Sequence, residues 1–149
     1  MLGSHPEYLY WALLLIGVFP LAPINRVAAI VIAARITTQI AFDAGLPEFK
    51  TQMVVFAVAG VIALHNTRLF TCFLSAALFF PLAVCAAWQY VDPYEGWWAV
   101  FWCAVAQALV LAASGEWKKA VRHWLRSSCP DQPDIFTRIA HAFARRRYA

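Results

Sequence analysis

Five apolar runs, at residues 8–24, 27–46, 49–67, 69–91 and 97–114, follow one another along this 149-residue chain with little between them. Each is close to the ~20 residues that a helix needs to cross a hydrocarbon core of ~30 Å. The connectors are short and carry breakers or polar groups: Pro23 to Arg26, Pro47-Glu48, His65 to Arg68, and Asp92 to Gly96. None has room for a folded module, so tight helical hairpins are expected. Composition agrees: 62% of residues are hydrophobic, 13% are charged and the mean hydropathy is +0.61. Soluble domains average ~45–50% apolar and ~25% charged. The surplus apolar surface is expected to face lipid. The expected fold is all-α, a polytopic transmembrane helical bundle over residues 1–114 followed by a basic tail over 115–149.

The charges are divided unevenly. Residues 115–149 hold eight Lys/Arg and three Asp/Glu, net +5, while residues 1–114 are net −1. A cationic tail in the cytoplasm puts Arg26 and Arg68 inside as well, which satisfies the positive-inside rule and predicts an N-out, C-in chain. Lys50 alone dissents. The same orientation gathers Tyr8, Tyr10, Trp11, Trp88, Tyr90, Tyr94, Trp97 and Trp98 at the outer interface, where these amphipathic rings belong. A four-span alternative leaves 27–46 outside and strands Arg26, Arg35 and Lys50 on the wrong side. Prolines 20, 23 and 81 are expected to bend or end their helices. The acidic N-terminus, Met1 to Glu7, lacks the basic start of a cleaved signal, so the first run is expected to be retained.

The tail reads as two amphipathic helices. In the first, Trp117, Val121, Trp124 and Leu125 share a face and Lys118, Lys119, Arg122 and Arg126 surround it. The second pairs Ile135, Phe136, Ile139 and Phe143 with Arg138, Arg145, Arg146 and Arg147. Such helices lie among anionic headgroups, so the basic residues are assigned to lipid contact rather than to nucleic acid.

Arg35 is the most informative single residue, because a charge in the middle of a span costs ~2.5–3.5 kcal/mol on insertion scales. Gln39 and Asp43 follow at four-residue intervals and complete an intramembrane polar stripe. Arg35 is within reach of Gln39, whereas Asp43 lies about 12 Å further along the axis. The stripe either faces a water-filled path or a partner helix, or forms a buried structural network. In the fifth span Ala104, Ala108 and Ala112 flank Gln107, a small-residue ladder for close helix packing with an amide to bond across. Ala29/Ala33 and Ala59/Ala63 repeat the spacing. The packing partner is either this chain or a second copy.

Cys72, Cys85, Cys103 and Cys129 form no CxxC pair, and no histidine stands at a matching depth to His65, so neither a metal nor a cofactor is expected. No nucleotide-binding, hydrolase or zinc-protease motif is present, and enzymatic activity is not expected. Asp92 and Glu95 read as a solvated turn. In broad form, several close spans with short hairpins and a cationic cytoplasmic end, the chain resembles phage holins. That resemblance implies an oligomeric pore-forming or membrane-permeabilising protein of a bacterial inner membrane. An accessory or scaffold subunit of a larger membrane complex is the alternative, and a small transporter or intramembrane enzyme ranks third.

Overall fold

The structure, a computed structural model, describes residues 6–65 and 67–128, and these are helical with no strand. The first apolar run begins as α1, Pro6–Leu13, widens to a π turn at Leu14–Val18 and tightens to a 3-10 turn at Phe19–Leu21. Pro20 explains the change of pitch: it lacks the N–H that would serve the Ile16 carbonyl, so an α ladder cannot continue through it. α2 spans Arg26–Asp43. Its N-cap, Asn25, accepts from the amides of Val27 at 2.9 Å and Ala28 at 3.3 Å, filling donors that a helix start leaves open.

α2 ends in a Schellman motif, with Gly45 N–H donating to Phe42 O and Leu46 N–H to Ala41 O. Gly45 supplies the positive φ of 79° that this cap requires. α3, Glu48–Leu64, follows at once. The fourth apolar run is broken into α4, Phe70–Ala77, and α5, Phe79–Trp88. Pro81 accounts for the break, because its missing N–H and its ring both fall on the carbonyl of Ala77, the last residue of α4. α6, Pro93–Ala112, is capped by Asp92, which accepts from Tyr94 and Glu95 N–H at 3.0 Å each. Its carboxylate is thus occupied by the helix start it was expected merely to flank.

Two stretches, Phe70–Trp88 and Pro93–Ala112, are long and apolar enough to cross a membrane. α2 holds three charges, and α3 is 17 residues long and opens on Glu48 and Lys50. The helices pack as an antiparallel bundle in which α3 lies against α2 and α5, and α6 against α4 and α5. α3 lies close to α5 at Gly60, where an added Cβ would stand 3.0 Å from that of Phe79. Phe56 and Phe79 fill the space beside it, both fully buried. α7, Trp117–Ser128, turns back at Gly115 onto the Phe19–Leu21 turn. There Trp124 Nε1 donates to Pro20 O at 3.0 Å and its ring stacks on Phe19. Ala120 is buried beneath it, while Val121 and Trp124 stay partly exposed beside the basic residues. The second tail helix expected from the sequence lies outside the described residues.

Candidate functional site

One end of the bundle gathers the start of α1, the end of α2, the start of α3, the end of α5 and the start of α6. Between them lies a cavity of about 410 Å³, within the size range of small-molecule sites. Bulky rings hold the helices apart here. Trp97 and Phe101 of α6 stack at 5.7 Å, and Tyr10 meets Phe101 edge-on at 6.3 Å. The polar side chains then have open space where, in the other half of the bundle, they have a neighbouring helix.

Arg35 lines this cavity. Its guanidinium carbon sits 5.0 Å from the Tyr10 ring centre and 4.8 Å from that of Phe56. Two aromatic faces thus compensate a charge that insertion scales penalise, each cation–π contact contributing about 0.5–2 kcal/mol. The guanidinium does not take Gln39 as its partner. Gln39 Nε2 turns the other way and donates to Asp43 Oδ1 at 3.1 Å. The three residues of the expected stripe therefore separate: Arg35 and Gln39 line the cavity, while Asp43 is exposed at the end of α2 and outside the cavity lining.

The opposite wall is a chain of amides. Gln89, 1% exposed, donates through Nε2 to Gln52 Oε1 at 3.1 Å, and Gln52 Nε2 donates to Glu48 Oε1 at 3.3 Å. Glu48 and Glu7 lie at the rim. Burial pushes the Glu48 carboxyl above the usual carboxylate range, and the neighbouring Glu7 charge adds to the rise. Gly96 makes room for this wall. A Cβ there would stand 2.7 Å from both the backbone N and the Cγ of Gln89.

Buried side-chain atoms without a hydrogen-bond partner concentrate at the cavity. Among the described residues there are five, and Arg35 Nη2, Gln89 Oε1 and Tyr10 Oη all belong to residues lining it. Buried polar atoms are normally paired, and these three set the cavity wall apart from most of the bundle, though each atom is itself covered by protein. Sequence reasoning missed Glu7, Tyr10, Trp11, Gln52, Gln89 and Trp97. The signal was present: Gln39, Glu48, Gln52 and Gln89 all fall within two turns of the same end of their apolar runs.

The remaining expected residues lie elsewhere. Ala104, Gln107 and Ala108 are buried, and Gln107 Nε2 donates to Ser75 O of α4 at 3.0 Å. Ser75 Oγ returns a bond to Gln107 O at 3.4 Å. Ala112 is half-buried and faces Gly17. Ala59 and Ala63 are buried, whereas Ala29 and Ala33 point outward. Lys118, Lys119, Arg122 and Arg126 are exposed on α7, with Lys119 Nζ 3.8 Å from Glu116. Arg145, Arg146 and Arg147 lie outside the described residues. Glu116 also holds the base of the bundle, accepting from Asn25 Nδ2 at 2.9 Å, and that same amide lies 3.1 Å from Cys72 Sγ. Comparison with protein-family models, curated proteins and solved structures yields no match to this chain.

Proposed function

We propose that the chain is a polytopic integral protein of a bacterial inner membrane, crossing five times with its N-terminus outside, and that its working site is the cavity at the outer end, which binds a small polar solute. The membrane reading is supported by an inverted distribution of side chains. Phe70, Val84 and Trp102 are 77%, 66% and 61% exposed on the flanks, while Asn25, Ser75, Gln89 and Gln107 are buried inside. Water would penalise so continuous an apolar exterior, and lipid would not. The basic face of α7, with Val121 and Trp124 exposed beside it, suits anionic headgroups on the cytoplasmic side.

The observation that carries the solute-binding reading is the position of Arg35. A holin-like lumen shared among copies needs the polar stripe on an outward face, but the guanidinium rests on Tyr10 and Phe56 within one bundle. That placement favours binding inside a single chain over permeabilisation by many. A second reading, an accessory subunit, is favoured by the outward row of Ala29, Ala33 and Thr37 on α2, small residues at the spacing that lets another helix approach closely.

Fractionation and labelling of the full chain test the first reading. The protein is expected in the membrane fraction after alkaline carbonate washing, with Cys129 reacting with an impermeant maleimide only after cells are opened. Recovery in the soluble fraction overturns the membrane reading, and labelling of intact cells inverts the orientation. Co-purification of a stoichiometric partner in mild detergent favours the accessory subunit instead.

A further inference from the structure

The cavity is electrically polar along its depth. Phe56, whose ring meets the Arg35 guanidinium at 4.8 Å, sits eight residues after Glu48 on α3, and Tyr10, whose ring meets it at 5.0 Å, sits three residues after Glu7 on α1. At 1.5 Å per residue the two rings stand about 12 Å along α3 from Glu48 and about 5 Å along α1 from Glu7, so the cation lies deeper than either carboxylate. The rim carries Glu7 and Glu48. A simple anion would have to pass two carboxylates to reach Arg35, and a simple cation admitted by the rim would meet a guanidinium at the bottom. A solute with both charges, separated by a comparable length, satisfies both ends.

We propose that the cavity receives an extended zwitterion of short-peptide size, its carboxylate on Arg35, its ammonium at Glu7 and Glu48, and its amides against Gln39, Gln52 and Gln89. This rests on the reading of the cavity as the working site and adds the class of ligand. Length selects the size: an extended chain covers ~3.3–3.6 Å per residue, so a tripeptide spans about 10 Å, between the separations counted from Glu7 and from Glu48. Chemistry selects the ends. Arg35 lines the cavity, and a guanidinium fork matches a carboxylate. Gln39, Gln52 and Gln89 line the cavity, and their amides suit peptide N–H and C=O groups. At the rim, the Glu7 charge adds to the lift that burial gives the Glu48 carboxyl, and an ammonium between the two relieves that repulsion.

Calorimetric titration of the full chain in maltoside micelles tests this with four probes: triglycine, N-acetyl-triglycine, triglycine amide and glycine. Triglycine is expected to bind at least about tenfold more tightly than either blocked form and than glycine. Arg35→Lys is expected to weaken triglycine and N-acetyl-triglycine by a similar factor, since it keeps the charge but loses the fork. The double variant Glu7→Gln, Glu48→Gln is expected to weaken triglycine alone and so close the gap to the acetylated form. Its folding is checked by a melting profile no lower than the parent's, and it keeps the test sound if Arg35→Lys unfolds. Equal affinity for triglycine and N-acetyl-triglycine overturns the zwitterion and leaves a cavity for anions. Equal affinity for triglycine and glycine overturns the length. Absence of saturable heat with every probe overturns both the ligand class and the cavity as the working site.

Discussion

The α4–α6 seam in one half of the bundle and the cavity in the other use the same side-chain chemistry. Gln107 and Gln89 are almost equally buried, at 0% and 1% exposure. Gln107 is flanked by Ala104 and Ala108, so α4 comes close enough for its amide to reach the Ser75 carbonyl and for the Ser75 hydroxyl to reach back. Cys103 adds a longer contact, its thiol 3.8 Å from Leu78 O at the break between α4 and α5. A neighbouring helix here serves backbone around a proline interruption. One to two turns earlier on α6, Trp97 and Phe101 replace the alanines and a cavity opens beside Gln89; both glutamines keep an unpaired Oε1, so what separates them is the space alongside. Side-chain volume along one helix thus decides whether a buried amide becomes a packing element or part of a site.

The comparison is broken most severely at the corner where the two halves of the chain are tied. Gly96→Val is expected to destabilise the protein by about 3 kcal/mol, because the new Cβ meets the Gln89 backbone at 2.7 Å and backbone cannot swing aside. Thermal unfolding in detergent measures it. An unchanged melting temperature would mean that the α5–α6 corner relaxes freely and that the Gln89 wall is not fixed by it.

A smaller effect separates the two glutamines. Gln107→Leu is expected to cost about 1 kcal/mol, the scale of an interhelical hydrogen bond in a membrane protein. Gln89→Leu is expected to cost less, since its one bond goes to the side chain of Gln52, which can turn into the cavity, whereas Gln107 bonds the Ser75 backbone; each variant also removes an orphan Oε1. Equal losses in the two unfolding curves would show that Gln89 is as structural as Gln107.

The helices and their proline breaks were readable from sequence because they depend on local rules. Run length and proline position each act within a few residues; the caps Asn25 and Asp92 obey equally local rules but read, in the sequence, only as connector and solvated turn. The α6 ladder could be placed on a packing face, although its partner could not. What the sequence concealed was rotation and bulk. Periodicity put Arg35, Gln39 and Asp43 on one stripe, but the stripe leaves the bundle at the end of α2, and Gln39 prefers Asp43 to Arg35. Tyr10 and Phe56, which shelter the guanidinium, come from α1 and α3. No spacing along the chain relates them to Arg35. Gln52 and Gln89 were likewise passed over as single amides, since their meeting depends on how α3 and α5 cross at Gly60.

The smallest expected effect concerns the rim and depends on pH. Burial and the Glu7 charge raise the Glu48 carboxyl above its unfolded value, so the folded chain binds its proton more readily than the unfolded chain does. Stability from this group is therefore fullest below the unfolded pKa and falls as pH rises through the raised folded value. Glu48→Gln keeps an amide that Gln52 can still address and removes the titration. The variant is expected to melt slightly higher than the parent at neutral pH, with the difference shrinking toward acid. Its affinity for a zwitterion should fall under the same neutral conditions. A gain in stability with a loss of binding is the signature of a group retained for its ligand, whereas a variant that melts lower at neutral pH would make Glu48 a structural acceptor for Gln52 and nothing more.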